Sequence, residues 1–353
     1  DTYNIDGTAH WIYASSMGSA VINVGETGKV VGDITGGDGE DVITISGSVG
    51  GSIYGHNGSD RIEITENAFA KNLYGGATYY LDSDSGNEII IDGTVYSASA
   101  GCGNDTIVVG ETGVVRDNLE GGLGSDNITI KGEVSYLIDG IYYDSLNQYC
   151  SRDGNDIINI HGSVYGASLG YGNDNLTIHN GGSLCGVTTY DGTNNITVEQ
   201  GGKIEDNISA WAGGTANLYV AGSIYSASLG AGNDYVEIAE TGVVSHAIST
   251  GDGDDTIIVS GQMSRSGSEG NIHADGGNDN ITINSTATIS SGVNAGTGND
   301  TVTLNGNNVS VRGDYGDDTV TINGNNNTVY GGDLRTDTSS ADTISVIFSV
   351  SAS

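Results

Sequence analysis

Apolar residues in this chain alternate with polar ones in short runs, and the runs return at a fixed interval. After Asp41 the apolar places are Ile43, Ile45, Val49 and Ile53; after Asp156 they are Ile158, Ile160, Val164 and Leu169. Ile107 and Val109 follow Asp105 in the same way, Ile128 and Ile130 follow Asp126, and Leu176 and Ile178 follow Asp174. Alternation with period two over about four residues predicts short β-strands with one face turned inward. Tight glycine turns come next, as in Ser46-Gly47, His161-Gly162 and Ala221-Gly222, or in the longer form Glu26-Thr27-Gly28, Glu111-Thr112-Gly113 and Glu240-Thr241-Gly242. A further short strand is predicted over residues 95–99, 164–168 and 224–228.

One phrase stands directly before these strands: Gly, any residue, Gly, any residue, Asp. It is complete at Gly37-x-Gly39-x-Asp41, Gly101-x-Gly103-x-Asp105, Gly122-x-Gly124-x-Asp126, Gly170-x-Gly172-x-Asp174, Gly230-x-Gly232-x-Asp234, Gly251-x-Gly253-x-Asp255 and Gly296-x-Gly298-x-Asp300. Looser copies without the first glycine end at Asp60, Asp156, Asp279 and Asp318. Degenerate copies place Asp1, Ala20, Asn87, Asn194, Ala216 and Asp342 at the Asp position. The phrase therefore recurs at 17 places between residues 1 and 342, about every 21 residues. A unit of that size cannot bury its apolar face alone, but stacked units share a continuous core. A sandwich or barrel has no need of one phrase at every turn. The expected fold is all-β: a single parallel β-solenoid (β-helix or β-roll) of 16–17 coils, forming one elongated domain over residues 1–353. Inserts break the period near 77–85, 137–153, 264–271 and 333–340, and the first two carry Tyr79, Tyr80, Tyr142, Tyr143 and Tyr149. Such inserts gather on one side of a solenoid, as local packing flaps or as a contact surface.

Composition narrows the function. Glycine makes up 59 of 353 residues and proline is absent, which excludes a mainly helical chain because an interior glycine costs a helix roughly 1 kcal/mol. Ten Lys and Arg face 45 Asp and Glu, for a net charge of −35. That balance excludes nucleic acid as a partner, since such binding depends on basic residues meeting phosphates. It also speaks against anionic membrane surfaces, and the most apolar stretch, residues 344–350, is too short to span a bilayer. Catalysis on polysaccharides needs clustered acid, base and cationic groups, whereas the ten cations are scattered along the chain; an enzyme is not expected.

The recurring Asp has a clear chemical use. Glycines let the backbone turn so that several carbonyl oxygens converge, and each Asp adds a carboxylate. A donor set made only of oxygen suits a hard cation, Ca²⁺ before Zn²⁺. Stacking would seat ions between successive coils, with the eleven phrase-ending Asp residues and the paired turn glycines as ligands. Two plainer readings are turns without ions, since Gly, Asn and Asp are common turn residues, and a halophile's acidic surface. The fixed place of the carboxylate, directly before each strand, favours Ca²⁺.

The phrase resembles the nonapeptide of the RTX proteins, Gly-Gly-x-Gly-x-Asp-x-apolar-x. Residues 36–44 and 121–129 fit it at every place. Resemblance to that family implies a secreted protein whose repeats fold on meeting Ca²⁺ outside the cell, as in adhesins and S-layer proteins. The chain departs from tandem RTX repeats in having one such loop per coil, an arrangement similar to the ice-binding solenoid of a marine RTX adhesin. Ice binding there implies a regular Thr-x-Asn row. Here the first place of that row holds Asp38, Asn57, Cys102, Leu123, Asp153, Tyr171, Ala231, Asp252, Gly276, Thr297 and Tyr315, and only Thr297-Gly298-Asn299 matches, so ice binding is not expected.

His161 and His179 hold the same place on consecutive coils and are expected to stack as a solvated pair. Cys102, Cys150 and Cys185 are too few and irregular for a disulfide framework. Neither end reads as a cap, so head-to-tail self-association or continuation into neighbouring domains is expected. The combined expectation is an extracellular, calcium-stabilised structural protein at the cell surface: a filament, S-layer or adhesin-stalk component. The alternative is an adhesive module that recognises glycan or host protein through its Tyr-rich inserts.

Overall fold

A computed structural model of the chain describes residues 1–14, 18–76, 86–139, 154–210, 213–264, 272–332 and 342–346. Its regular structure is parallel β-strand, wound as a β-solenoid. The coils fall into two compact units, Asp1–Leu176 with Gly181–Leu184, and Thr177–Asn180 with Cys185–Ser353. Among the described residues no helix is long and apolar enough to cross a membrane.

In the first unit one sheet stacks the strands Thr2–Ile5, Val21–Val24, Val42–Ile45, Arg61–Ile64, Glu88–Ile91, Thr106–Val109, Asn127–Ile130 and Ile157–Ile160 in chain order. The pairing has no stagger, so Ile22, Ile43, Ile62, Ile89, Ile107, Ile128 and Ile158 form one column. Two places on, Val24, Ile45, Ile64, Ile91, Val109, Ile130 and Ile160 form a second. Both columns are sealed from solvent. The facing sheet adds a column of Val30, Val49, Ala70, Val95, Val115, Val134 and Val164, and another through Ile34, Ile53, Leu73, Ala98, Leu119, Leu137 and Ala167. Four apolar side chains per coil thus interdigitate between two sheets. Each is worth ~1.5–3 kcal/mol when large and fully buried.

The predicted third strand of each coil belongs to this facing sheet. It is separate in the early pair Lys29–Val30 and Ile34–Gly37, but runs on from its neighbour in Ser48–His56 and Thr94–Cys102. The register shifts between Val95 and Ala98, where the strand bends around the corner of the coil.

The second unit repeats the design. Thr193–Val198, Thr215–Val220, Tyr235–Ile238, Thr256–Val259, Asn280–Ile283, Thr301–Leu304, Thr319–Ile322 and Thr343–Val346 stack in order. Ile196, Leu218, Val236, Ile257, Ile281, Val302 and Val320 form its matching inward column. Residues 77–85, 140–153, 265–271 and 333–341 lie outside the described residues, and with them the Tyr-rich inserts and Cys150.

Candidate metal column

Every phrase-ending Asp sits at the corner where a turn enters the first sheet, and all eleven are 2% exposed or less. One carboxylate oxygen has the same task in each coil: it accepts the backbone N–H of the residue at the same place one coil earlier. In the first unit Ala20 N–H donates to Asp41 Oδ1 at 2.6 Å, Asp41 to Asp60 at 2.8 Å, Asp105 to Asp126 at 2.8 Å, Asp126 to Asp156 at 2.6 Å and Asp156 to Asp174 at 3.1 Å. In the second unit Ala216 donates to Asp234 at 2.7 Å, Asp234 to Asp255 at 2.7 Å, Asp255 to Asp279 at 2.8 Å, Asp279 to Asp300 at 2.9 Å and Asp300 to Asp318 at 3.0 Å. The degenerate copies keep this register. Asn87 Oδ1 accepts from Asp60 N–H at 2.8 Å, its own N–H donates to Asp105 at 2.5 Å, and Asp318 N–H reaches Asp342 at 3.4 Å.

Asn87 shows what the corner requires structurally. An amide oxygen satisfies the N–H of the coil before, and the amide nitrogen finds the Ala100 carbonyl at 3.1 Å. Asparagine would therefore serve everywhere if the corner were only a turn. Aspartate instead brings a second oxygen, and in Asp41, Asp126, Asp234, Asp279, Asp300 and Asp318 that Oδ2 is buried with no hydrogen-bond partner. Burying a charge without a partner is strongly unfavourable. Burial pushes the carboxyls of Asp126, Asp174, Asp234 and Asp279 up to about 7 and that of Asp300 up to about 6, against the pull of the N–H bonds they accept. The same cause raises Asp41, Asp255 and Asp318. Each such corner calls for a proton or a cation, and its oxygen donors suit a hard cation.

The turn glycines have two roles. Four residues before the Asp the backbone is left-handed, at Gly37, Gly101, Gly122, Gly230, Gly251 and Gly296. Where the looser copies lack this glycine the shape persists, with His56 at φ 77°, Asp275 at 68° and Asp314 at 71°. His and Asp are among the side chains that tolerate this region best. Two residues before the Asp, the constraint is the approach between coils. A Cβ at Gly298 would lie 1.7 Å from the Gly277 carbonyl oxygen, and one at Gly253 would lie 2.0 Å from that of Gly232. Gly103, Gly124 and Gly172 stand in the same position, while Gly39 packs on the backbone of Gly18 and Ser19 and Gly170 is buried in its turn. The carbonyls of Gly230 and Gly251 already accept coil-to-coil hydrogen bonds, from Asp252 and Gly276.

Two features escaped the sequence. The first is an outer ladder one residue before the Asp, running in the opposite sense. Asn104 Oδ1 accepts from Ser125 N–H at 2.9 Å and Ser125 Oγ from Asn155 N–H at 2.9 Å; in the second unit Asn278 accepts from Asn299 at 2.9 Å and Asn299 from Asp317 at 2.8 Å. Its signal was the recurrence of Asn, Ser and Asp at that place. The second is Asp139, fully buried, with a carboxylate oxygen within 4.8 Å of oxygens of Asp126 and Asp156. The sequence puts it inside the insert near 137–153, whereas the structure keeps Leu137 and Ile138 paired in the facing sheet and so carries Asp139 to the end of a regular strand. Elsewhere His179 Nδ1 meets Glu199 at 3.1 Å on the half-buried edge of the second unit, and among the described residues no disulfide forms.

No protein-family model and no curated protein sequence matches the chain. A solved structure is similar: the crystal structure of a hyperactive, Ca²⁺-dependent, β-helical antifreeze protein from an Antarctic bacterium, with a TM-score of 0.54 and 24% identity over 89% of this chain and 82% of that one. The likeness supports the parallel β-solenoid fold.

Proposed function

We propose that the chain is an extracellular, calcium-stabilised solenoid of RTX type with a structural role, as part of a surface filament, S-layer or adhesin stalk, and without catalytic activity. The carrying observation is the row of buried aspartates that each spend one oxygen on the backbone, six of which, Asp41, Asp126, Asp234, Asp279, Asp300 and Asp318, keep a buried second oxygen without a hydrogen-bond partner. Ca²⁺ would be held by these oxygens together with turn carbonyls. The neighbour's dependence on Ca²⁺ supports the reading. Burial of the carboxylates also keeps any substrate away from them, which speaks against an acid–base site. Millimolar Ca²⁺ outside cells would make folding follow export, and coil-on-coil bonding lends itself to head-to-tail association. The test is far-UV circular dichroism of EDTA-stripped protein titrated with Ca²⁺, with Mg²⁺ as control and light scattering in the same cell. A Ca²⁺-specific coil-to-β transition is expected, and scattering that rises with it would mark a polymer. A β spectrum unchanged by chelator, in protein shown to be ion-free, overturns the proposal.

A second reading follows from the outer face of the second unit's first sheet. Thr301 and Thr303 lie in register with Thr319 and Thr321, flanked by Asn280 and Thr282 on one side and Thr343 and Ser345 on the other. Neighbouring coils set these hydroxyls roughly 4.8 Å apart and alternate residues about 6.6 Å apart, a regular array. Since the structural neighbour is an antifreeze protein, ice is the surface this array would meet.

A further inference from the structure

We propose that Asp126, Asp139 and Asp156 form a divalent-cation site distinct in its donors from the rest of the column, with Ca²⁺ as the ion that fits it. The pairing of Leu119 with Leu137 and of Glu120 with Ile138 brings Asp139 opposite Gly121. Gly121 stands five residues before its ladder residue, a place held elsewhere among the described residues by glycine, alanine or leucine and, at Thr189 and Thr250, by a threonine hydroxyl, but by no other acidic side chain. In this coil alone the described residues place a carboxylate there. Asp139 is 0% exposed and Asp126 is 2% exposed. Measured from the point where a Cβ on Gly121 would lie, Asp139 Oδ1 is 2.0 Å away and Asp126 Oδ2 is 2.6 Å away, so the two carboxylates converge over a glycine that leaves them room. That Asp126 oxygen is buried and makes no hydrogen bond. An oxygen of Asp156 completes a triangle with no side above 4.8 Å.

The triangle lies within the span of one Ca²⁺, since two oxygens bound to it at 2.3–2.6 Å stand up to about 5 Å apart. Magnesium keeps several waters, for which a sealed corner has little room. An all-oxygen set is a poor match for Zn²⁺. Three buried carboxylates repel one another and are poorly solvated, so the site gains more from a cation than a corner with one spare oxygen. Calcium here would link the coils of Asp126 and Asp156 through three carboxylates rather than two.

The proposal deepens the calcium reading, and calorimetric titration of the EDTA-stripped full chain with Ca²⁺ alone separates the two. The expected wild-type isotherm has one site at least tenfold tighter than the others. Asp139→Gly, which restores the glycine of the preceding coil, is expected to remove that site and leave the weaker ones. Asp139→Asn, which keeps the side-chain volume, is expected to weaken it at least tenfold and guards against a folding defect in the glycine variant. An unchanged isotherm in both variants, folded by circular dichroism in Ca²⁺, overturns this site while leaving the column intact; it is the outcome expected if Asp139 and Asp156 merely share a proton. A single Ca²⁺ equivalent lost in Asp139→Gly, with no Ca²⁺-dependent folding, would uphold the site and overturn the wider reading. No binding at all overturns both.

Discussion

Replacing Asp234 by asparagine should change stability in opposite directions with and without calcium. The amide oxygen can still accept the Ala216 N–H, bonded at 2.7 Å in the wild type, as Asn87 does for Asp60 at 2.8 Å. The backbone bond therefore survives, and the exchange isolates the second oxygen. Burial raises the Asp234 carboxyl from 3.8 to about 7. At 1.36 kcal/mol per pKa unit, folding with this group ionised costs about 4 kcal/mol above pH 7. Water near the turn screens part of that, and about 2 kcal/mol is a fair discounted figure. Metal-free Asp234→Asn should thus be about 2 kcal/mol more stable than metal-free wild type at pH 8. Calcium at a thousand times its dissociation constant adds about 4.1 kcal/mol to the wild type. The variant lacks that ligand and should then be about 2 kcal/mol less stable. Trimethylamine oxide, which strengthens burial, measures the metal-free side by the concentration needed to fold the chain in EDTA. Urea measures the calcium side. A variant weaker in both media would mean that the carboxylate is structural only; one stronger in both would mean that no ion binds there.

The pH dependence of the metal-free protein should have the same origin. Carboxyls raised to about 7 at Asp126, Asp174, Asp234 and Asp279 are protonated and harmless below about 4, so stability should fall as pH rises from about 4 to 7, and the osmolyte midpoint in EDTA should climb over that window. In saturating Ca²⁺ the trend should reverse, because protons compete with the ion. Gly298→Ala should cost on the order of 3 kcal/mol, since the new Cβ would lie 1.7 Å from the Gly277 oxygen at a φ of +134°, whereas Gly7→Ala, with nothing within 4 Å, should stay within about 0.5 kcal/mol; urea midpoints in Ca²⁺ compare them. If the threonine array binds ice, nanolitre osmometry should show thermal hysteresis that Thr319→Lys abolishes without altering the β spectrum, and its absence in the wild type removes that reading.

The repeat was legible because stacking without stagger forces the same chemistry into the same column. Ile43 and Ile62, or Asp41 and Asp60, face one another coil after coil, so one phrase reports both core and corner. Even Ala20 and Ala216, which cannot accept a hydrogen bond through their side chains, kept their place because the strands after them kept phase. What the sequence hid was direction and exception. Nothing in Asn104 or Ser125 tells which neighbour's N–H each will accept, since that depends on which way the corner tilts its side chain. Asp139 fell inside the segment read as an insert at 137–153, and only the pairing of Leu119 with Leu137 carries it to the column.

Sameness carries a hazard that the irregular corners relieve. A stack of identical coils could form with one coil looped out, because each column would find its own kind again across the gap. Ala216 works against this as an index mark. Its methyl group belongs under Asn194, whose N–H has no carboxylate to expect from it; moved one step along, the methyl would meet an N–H that now has an aspartate oxygen, at a cost of about 1–3 kcal/mol for the donor left bare. Asn87 in the other unit marks position similarly, since its amide nitrogen is placed for the Ala100 carbonyl and a carboxylate in its stead is not. The corners that interrupt the ladder thus number the coils and keep each paired with its own neighbours.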